Sequence, residues 1–506
     1  MKRIVNAFGK LNWGKRACAV FVLCATTAMA LSAQTFTNLL SFNSTDGATP
    51  NAPLIQATNG DLYGTTSRGG ANFVCCGETG GGTVFKITPG GTLTTLYSFC
   101  SQINCTDGKE PYAALVQATN GDFYGTTFNG GATNCAPYGC GTVFKITPGG
   151  RLTTLYSFCS QINCTDGYDP QAALVQATNG DFYGTTVEGG ATNPEVPDGG
   201  GTVFKITPGG TLTTLYNFCS QINCADGDVP VAGLVQDSNG NFYGTTYAGG
   251  AHGGGTVFKI TPNGTLTTLY SFCSQSGCTD GSEPAAALVQ GSDGNFCGTT
   301  GYGGANLYYG TVFKITPSGR LTTLHSFDGT DGYDPQGLVH ATDGDFYGTT
   351  EYGGENGNYG TVFKITPSGA LTTLHSFDGT DGYNPLAAPV QDTNGNLYGT
   401  TGLGGANSCI MGGENYGCGT AFSLSVSLGP FVETLPAIGK VGAAVKILGT
   451  DLTGATSVSF NGTAAVFKVV SSSEITTKVP AGANTGKVRV VTPSVTLSSN
   501  APFRVP

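Results

Sequence analysis

Seven aspartates in a repeated motif, [TA]DGxxP, are the residues of this sequence with the clearest capacity for chemistry. A ring of seven carboxylates would suit calcium or a cationic partner, because hard cations prefer oxygen ligands. The competing interpretation is an Asx-turn, in which each carboxylate accepts a backbone N–H beside the glycine. Equal presence in every repeat favours the turn. The seven residues are Asp46, Asp107, Asp166, Asp226, Asp280, Asp331 and Asp381.

The asymmetric feature of the sequence is aromatic. Seven tyrosines fall in long connections of the last three repeats, and a tyrosine patch could stack on sugars or anchor a protein. The alternative is packing of loop tyrosines on glycine-rich neighbours. These candidate ligand-binding residues are Tyr302, Tyr308, Tyr309, Tyr333, Tyr352, Tyr359 and Tyr383.

Other ionisable residues predict structural roles. The lysines of "VFKIT" and the aspartates of "GD[FL]YGTT" recur together, which favours pairing between strands over a catalytic site copied in every repeat. His325 and His375 replace the tyrosine of "LTTLYSF", and His340 replaces the glutamine of "LVQ". No catalytic residue is assigned, since near-identical repeats and only four histidines offer no singular acid or base.

The cysteines predict a set of local disulfides. Four pairs share the spacing C-x4-C and two are looser; metal binding is the alternative, but no histidine cluster accompanies them, and exported proteins favour disulfides. The predicted pairs are Cys100–Cys105, Cys159–Cys164, Cys219–Cys224, Cys273–Cys278, Cys135–Cys140 and Cys409–Cys418. The state of Cys75 and Cys76 stays open, and Cys297 is expected to be a buried thiol.

The elements that position these residues are seven repeats of about 50 to 60 residues marked by "YGTT" or "CGTT". Each contains four strand-like segments: "ALVQAT" and "DFYGTT" joined by Asn-Gly or Asp-Gly, then "GTVFKIT" and "LTTLYSF" joined by "PGG", "PNG" or "PSG". The Asn-Gly and Asp-Gly pairs predict two-residue hairpin turns. Four antiparallel strands per repeat predict an all-β, seven-bladed β-propeller.

The N-terminal segment "TFTNLLSF" (35–42) resembles the fourth strand of a repeat, and the seventh repeat lacks one. The sequence therefore predicts that this segment completes the last sheet and closes the ring, which removes an exposed edge. The long, variable connections then share one face. Any function is expected on that face.

The two ends of the chain differ from the repeats. Residues 1–33 read as a signal peptide, with five basic residues before an apolar run. Its removal leaves 17 basic and 32 acidic residues, a net charge near −15 that argues against nucleic acid as a partner. Residues 34–428 form the predicted propeller, and 429–506 read as a small immunoglobulin-like β-sandwich. No later segment is apolar enough for a transmembrane helix.

The motifs "NGDFYGTT", "GGTVFKIT" and "LTTLYSF" resemble the GloVer tandem repeats of exported bacterial choice-of-anchor proteins, across nearly all of residues 35–425. The tail resembles an IPT/TIG domain through Gly439, Ile447, Gly449, Asn461-Gly462 and Val479-Pro480. These resemblances imply export and a spacer or adhesion role, with no established activity. The absence of a sorting motif after "FRVP" puts the mode of anchoring in doubt.

Together these features predict a secreted, extracellular or periplasmic monomer that acts as a non-enzymatic binding or scaffold protein. The expected ligand is a polysaccharide or a cell-surface protein on the long-loop face. No cofactor is implied, except that calcium could occupy the aspartate ring. The alternative is a polysaccharide lyase or glycoside hydrolase, which would need an opposed pair of carboxylates.

Overall fold

A computed structural model describes residues 34–72, 80–131, 139–192, 196–411 and 414–506. The predicted signal peptide lies outside these residues. The chain is all-β, as predicted, and residues 34–428 contain seven four-stranded antiparallel sheets. In chain order these are called sheets 1 to 7.

The first four sheets have nearly identical strand lengths. Sheet 1 consists of Ile55–Gln56, Leu62–Thr66, Thr83–Ile87 and Leu93–Ser98. Sheet 2 consists of Val116–Gln117, Phe123–Thr127, Thr142–Ile146 and Leu152–Ser157. Sheet 3 consists of Val175–Gln176, Phe182–Thr186, Thr202–Ile206 and Leu212–Asn217. Sheet 4 consists of Val235–Gln236, Phe242–Thr246, Thr256–Ile260 and Leu266–Ser271.

The last three sheets include the departures from this pattern. Sheet 5 consists of Val289–Gln290, Phe296–Thr300, Thr311–Ile315 and Leu321–Ser326. Sheet 6 consists of Tyr333–His340, Phe346–Tyr352, Thr361–Ile365 and Leu371–Ser376. Sheet 7 consists of Val390–Gln391, Leu397–Thr401, Thr420–Ser425 and the N-terminal Thr35–Ser41. A small hairpin, Ile410–Met411 with Glu414–Asn415, follows its second strand.

The third strand shows why each sheet is covered on both faces. In Thr83–Ile87, Val84 packs with Phe99 and sheet 2, whereas Phe85 and Ile87 pack towards sheet 7. Successive side chains of a strand point to opposite faces, so burial of both faces needs apolar residues at consecutive positions, here Val84 and Phe85. Each sheet is therefore sandwiched between two neighbours.

Sheet 7 joins the two ends of the repeat region. Thr35–Ser41 pairs antiparallel with Thr420–Ser425 and occupies the position of the missing fourth strand. Phe36 stacks on His375 of sheet 6 at 3.7 Å between ring centroids. Phe42 is fully buried and packs against Phe85 of sheet 1.

Sheet 7 also contacts sheet 1 with the bonds that join other neighbouring sheets. Gln56 accepts a hydrogen bond from the backbone N–H of Thr393 at 2.9 Å, as Gln117 does from Thr58 at 3.0 Å. The Thr400 hydroxyl donates to the carbonyl of Ala52 at 3.4 Å, the counterpart of a bond made by the second strand of other sheets. The first and last repeats are thus neighbours in space.

The tight turns differ in one detail from the sequence expectation. Ala57 donates to the carbonyl of Asp61, so the connection has three residues rather than the predicted two. Only the glycine of Asn59-Gly60 has a positive φ, +87°. This is the geometry of a turn closed by a glycine bulge, because the non-glycine residues keep ordinary backbone angles.

The tail contains two further four-stranded sheets around its own core. One consists of Val432–Leu435, Ala444–Gly449, Glu474–Lys478 and Phe467–Val469. The other consists of Thr463–Ala465, Ser457–Phe460, Val488–Val491 and Thr496–Ser498. Ile447, Phe460, Ile475 and Val490 are among the buried residues between them.

The tail contacts the tight-turn ends of several repeat sheets. The Ser473 hydroxyl donates to the carbonyl of Thr58 at 3.1 Å, and Asn500 donates to the carbonyl of His340 at 2.9 Å. Arg504 donates to the side-chain oxygen of Gln290 at 3.1 Å. The tail therefore lies at the end of the repeat sheets opposite the long loops. None of the helices in the described residues is long and apolar enough to cross a membrane.

The N-terminal strand should be as important to stability as an internal strand. Replacing Phe42 with alanine should reduce the free energy of unfolding by about 3–5 kcal/mol, the usual cost for a buried phenylalanine. Phe158, the equivalent residue at the end of sheet 2, is also fully buried and supplies the matched control Phe158→Ala. Similar losses in chemical denaturation are expected, and a negligible effect of Phe42→Ala would contradict the composite sheet.

Candidate functional site

The carboxylate oxygens of the seven motif aspartates accept hydrogen bonds from donors within the protein. Asp107 is fully buried, and one of its oxygens accepts bonds from the Ser101 N–H at 2.9 Å and the Tyr97 hydroxyl at 2.8 Å. Asp331 instead accepts from the N–H of Asp328 and lies 2.6 Å from the Nε2 atom of His325. These contacts favour the turn interpretation over a calcium ring at these residues.

Five of the predicted disulfides are present in the described residues. Four close loops that contain short 3-10 helices, Ile103–Cys105, Ile162–Cys164, Ile222–Cys224 and Ser276–Cys278. The bonded pairs are Cys100–Cys105, Cys159–Cys164, Cys219–Cys224, Cys273–Cys278 and Cys409–Cys418.

The remaining cysteines are divided between described and undescribed parts of the chain. Cys75, Cys76 and Cys135 lie outside the described residues. Cys297 is a free, buried thiol, and burial raises its pKa to about 12, which makes it unreactive at neutral pH. It occupies the place of a stacked tyrosine, as expected from the sequence.

Seven residues, each three positions after a motif aspartate, share one backbone geometry on the long-loop face, and we call them the rim residues. Each precedes a proline and has a left-handed backbone, with φ between +52° and +58°. Each donates its backbone N–H to the carbonyl two residues before the third strand of the preceding sheet, at 2.9–3.2 Å. Thr49 donates to Cys418 and so joins sheet 1 to sheet 7. The seven rim residues are Thr49, Glu110, Asp169, Val229, Glu283, Asp334 and Asn384.

The rim backbone is constant while its side chains vary. Thr49 and Val229 are β-branched, a residue class that ordinarily avoids positive φ, so the bond between sheets dictates their conformation. The side chain is then free to differ from repeat to repeat. The repeated motif indicates the constant aspartate and not this variable position, whose signal in the sequence is the change among Thr, Glu, Asp, Val and Asn before an invariant proline.

Acidic side chains gather at two parts of the rim. The first cluster comprises Glu110, Asp169 and Glu188, where burial and the neighbouring Glu188 and Glu110 raise the pKa of Asp169 to about 7. Lys109 lies 3.1 Å from Glu110, so this cluster has a cation beside it. Asn129 and Tyr168 also donate to its carboxylates, each at 2.6 Å.

The second cluster comprises Glu283, Asp334 and Glu351. The amide of Gln336 donates to Asp334 at 3.1 Å and to Glu351 at 3.3 Å, so these two carboxylates converge on one nitrogen. Burial, then the charges of Glu351 and Glu283, raise the pKa of Asp334 to about 7. Burial likewise raises the pKa of Glu351.

Sheet 6 is built differently from the other sheets where it carries this cluster. Its first two strands continue to the rim, with Tyr333 paired to Tyr352 and Pro335 to Thr350. The first strand of each other repeat sheet has two residues. The longer ladder fixes Glu351 and Tyr352 on a strand instead of a loop.

The structure brings most of the predicted tyrosines together beside the second cluster. Tyr333 stacks on Tyr352 at 5.2 Å and contacts Tyr309 at 5.4 Å. Tyr359 packs edge-on against Tyr383 at 5.3 Å. The negative charge of Asp334 raises the pKa of Tyr302, so Tyr302 lies close enough to the second cluster to be affected by its charge.

Exposure separates the two outer tyrosines from the rest. Tyr308 is 69% exposed and Tyr302 is 44% exposed, whereas the stacked rings are half-buried. The stacked rings thus serve as a packed base, as the packing interpretation expects. The rings of Tyr302 and Tyr308 are therefore the ones whose faces are available to a ligand. We call Glu283, Asp334, Glu351 and the seven predicted tyrosines the tyrosine–acid surface.

The histidines and repeated lysines have structural contacts. His375 lies 2.7 Å from Asp381, and the pKa of His340 is lowered by burial and by the charge of Lys487. Lys86 pairs with Asp61 at 3.2 Å across neighbouring strands. The ion pairs described for these histidines and lysines involve none of the residues of the tyrosine–acid surface.

The repeats match a family model described as the Gloeobacter/Verrucomicrobia repeat, through residues 25–194, 73–306, 192–422 and 286–472. This chain belongs to the Gloeobacter/Verrucomicrobia repeat family. The resemblance of the repeat motifs to GloVer repeats is thereby confirmed. No curated protein matches the sequence significantly.

Solved structures show a likeness to this Gloeobacter/Verrucomicrobia repeat protein in fold alone. A fungal alcohol oxidase of the AA5 family, in complex with copper, has a TM-score of 0.51 at 11% identity, over 93% of this chain and 98% of the oxidase. Two extracellular domains from hybrid two-component systems of B. thetaiotaomicron have TM-scores of 0.48 and 0.47, at 11% and 12% identity. The first match covers 83% of this chain and 46% of the other protein's chain, and the second covers 94% and 58%. This chain thus spans about half the length of these two structures.

A cluster of three sulfurs also lies in the repeat protein. Cys140, Cys159 and Cys164 have their sulfurs within 4.8 Å of one another. All three are disulfide-bonded, so they are not thiolate ligands for a metal.

The raised pKa of Asp334 gives a pH-dependent prediction. A carboxyl with a folded pKa near 7, against 3.8 unfolded, destabilises the fold progressively as the pH rises from about 4 to about 7. Asp334→Asn should therefore increase the free energy of unfolding by about 1–3 kcal/mol at pH 8, and by less at pH 5.

Asp378 is the matched control, because hydrogen bonds from Thr380 and Asp381 lower its pKa. Its stabilising effect is lost only below about pH 4, so Asp378→Asn should destabilise the protein equally at pH 5 and pH 8. Thermal melts of both variants provide the measurement. A gain from Asp334→Asn that does not grow with pH would refute buried repulsion at the second cluster.

Proposed function

We propose that this chain is an exported, non-enzymatic glycan-binding protein built on a closed seven-bladed β-propeller. In this proposal Thr35–Ser41 closes the ring and the tail is an IPT/TIG-like spacer. The leader directs the chain out of the cell, where its local disulfides can form. The bonds from Thr49 to Cys418 and from Thr400 to Ala52 support closure, because they repeat between sheets 7 and 1 the contacts made elsewhere.

The tyrosine–acid surface is the observation that carries the glycan proposal. Tyrosine rings offer flat apolar faces for sugar rings, and neighbouring carboxylates accept hydrogen bonds from sugar hydroxyls. Tyr302 stands exposed near Asp334 and Glu351 on the long-loop face, and the exposed Tyr308 lies in the same loop, opposite Gly303. The tail occupies the opposite face, so it leaves this surface open to a large polymer.

One observation favours a second candidate, a glycoside hydrolase on the same surface. Asp334 holds its proton near neutral pH beside another carboxylate, Glu351, and such a pair can divide the acid and base roles. We rank this function second, because it rests on this one pair of carboxylates, and the repeats are otherwise nearly identical.

The first test measures binding and cleavage together. Purified mature protein is incubated with insoluble plant and microbial polysaccharides, and loss of protein from solution is recorded alongside release of reducing ends. The proposal expects depletion without release. Release that Asp334→Asn abolishes would replace it with the hydrolase, and neither signal on any polymer would overturn the glycan proposal in favour of a cell-surface protein partner.

The second test uses tyrosine variants on the polymer that depletes the protein. Tyr302→Ala and Tyr308→Ala should each weaken binding about fivefold to tenfold, the weight of roughly 1–1.4 kcal/mol for one aromatic contact. Ile162→Ala is the control, because Ile162 is equally a large exposed apolar residue but lies on a disulfide loop after sheet 2. Unchanged binding in both tyrosine variants, with their melting temperatures preserved, would contradict the assigned surface.

A further inference from the structure

The cluster of three sulfurs brings two disulfides of the repeat protein into contact. The sulfurs of Cys140, Cys159 and Cys164 lie within 4.8 Å of one another. Cys159 is bonded to Cys164, so the disulfide of Cys140 is made with another cysteine. Its predicted partner, Cys135, lies outside the described residues. Cys140 therefore neighbours a disulfide to which it does not belong.

Cys140 and Cys159 face each other across the end of a strand pair. In sheet 2, Thr142 pairs with Ser157. Cys140 lies two residues before Thr142 and Cys159 lies two residues after Ser157, so the same register places the two cysteines opposite each other. Opposite residues of an antiparallel pair have Cα atoms about 4.5–5.5 Å apart, within the range of about 4.4–6.8 Å that a disulfide spans.

The third and fourth repeats show how close the Cβ atoms come at this place. Gly200 and Gly254 hold the position of Cys140 there, two residues before the third strand. A Cβ at Gly200 would stand 2.8 Å from the Cβ of Cys219, and one at Gly254 would stand 3.1 Å from the Cβ of Cys273. The Cβ atoms of a disulfide lie about 3.5–4.5 Å apart. A cysteine at this position can thus bond to the first cysteine of the following loop after a small outward shift.

Exposure decides which of the three sulfurs an external thiol reaches first. Cys140 is fully buried and Cys159 is 7% exposed, whereas Cys164 is partly exposed at the end of its short 3-10 helix. Thiol–disulfide exchange begins with attack of a thiolate on an accessible sulfur. Attack on Cys164 leaves Cys159 as a thiolate, and that thiolate is buried beside the sulfur of Cys140.

We propose that Cys164 is a site of stable S-thiolation, at which the protein captures a low-molecular-weight thiol as a mixed disulfide. The incoming thiolate bonds to the Sγ atom of Cys164 and breaks the bond to Cys159. The Cys159 thiolate then bonds to the Sγ atom of Cys140 and breaks the existing disulfide of that residue, whose former partner leaves as a thiol. One thiol is consumed and one is released, and two disulfides remain two, so the exchange needs no oxidant.

The second transfer makes the capture stable. In the fourth repeat, attack on Cys278 leaves Cys273 as a thiolate with Gly254 where the second repeat has Cys140. That thiolate returns to Cys278 and expels the added thiol. In the second repeat the new bond between buried sulfurs removes the returning nucleophile. Cys278 is not buried either, so exposure alone does not distinguish the two loops.

The site is independent of the glycan proposal. It follows sheet 2, whereas the tyrosine–acid surface belongs to sheets 5 to 7 and the loops between them. Polysaccharide depletion and thiol capture are measured on different residues. Failure of either proposal therefore leaves the other unaffected.

Peptide mapping after treatment with reduced glutathione tests the exchange. Purified mature protein is incubated with glutathione and quenched in acid, and its free thiols are blocked with N-ethylmaleimide. Trypsin cleaves after Lys145 and Arg151, so Cys140 lies in fragment 110–145 and both Cys159 and Cys164 lie in fragment 152–205. The original bond lies within one fragment, and the new bond joins two. We expect the joined fragments, with one glutathione on Cys164.

Cys278 supplies a control within the same chain. Its loop has the same spacing of cysteines and a similar exposure, and it should carry at least about tenfold less glutathione than Cys164 because its adduct is reversed by the neighbouring thiolate.

A double variant, Cys135→Ser with Cys140→Gly, supplies the second control. It removes both members of the predicted pair and gives the second repeat the glycine of the third and fourth. Its Cys164 should likewise lose about nine-tenths of the adduct or more, since the Cys159 thiolate then returns to Cys164.

Three results would overturn the proposal. They are equal amounts of glutathione on Cys164 and Cys278, glutathione on Cys164 without joined fragments, and an undiminished adduct in the double variant. Absence of any adduct on Cys164 would overturn it as well. If the double variant fails to fold, the comparison of Cys164 with Cys278 in the wild-type chain decides the outcome.

Discussion

The hydrogen bond from each rim residue to the preceding sheet is the constraint on which the rest of the structure depends. To aim its N–H at that carbonyl, the residue before the proline adopts a left-handed backbone. That conformation costs a non-glycine residue about 1–2 kcal/mol, and β-branched residues more. Val229 and Thr49 adopt it nevertheless, so the link between sheets outweighs the local preference.

The glycine that begins "GTVF" leaves room for the proline that follows the rim residue. At Gly82, a Cβ atom would stand 2.3 Å from the carbonyl oxygen of Thr66 and 2.7 Å from the ring of Pro111. The first residue of "GTVF" must therefore be glycine, since only hydrogen fits between the strand and the proline of the next repeat. One bond, one proline and one glycine thus set the spacing between neighbouring sheets.

Because only the backbone N–H of the rim residue makes the bond between sheets, this bond does not depend on the side chain, and the residue type can differ between repeats. Asymmetry enters a nearly symmetric molecule at this position. Sheet 6 combines a rim aspartate with a glutamate on its extended second strand, and sheet 7 contributes a rim asparagine. The tyrosines collect around the same sheets, so charge and aromatic surface coincide.

The repeat sheets could be predicted from sequence because each local signal is copied seven times. The orphan strand at Thr35–Ser41 was placed correctly, since its "LLSF" ending matches a position missing from the seventh repeat. The rim was not predicted, because its defining property is a backbone angle and its residue types vary. The convergence of Glu351 with Asn384 spans two sheets, and no spacing along the chain encodes that contact.

The turn aspartates illustrate what constancy across the repeats means. Their constancy drew attention to them as possible ligands, but Asp107 owes its constancy to bonds with Ser101 and Tyr97. In this chain, residues that recur in every repeat have structural roles. Residues that differ between repeats form the surface on which a ligand could be recognised. The tight turns were misjudged by one residue for a related reason, since Asn-Gly suits both a two-residue loop and a glycine bulge.

Hydrogen exchange of the Thr49 amide tests the central claim most directly. This amide bonds to Cys418 across the junction of the first and last repeats, and the amide of Asp169 makes the equivalent bond between internal sheets. If the rim bonds hold all seven sheets in a continuous ring, the two amides should be protected to a similar degree, within about tenfold in exchange rate. Rapid exchange at Thr49 with strong protection at Asp169 would show that the junction is open, and would contradict the account.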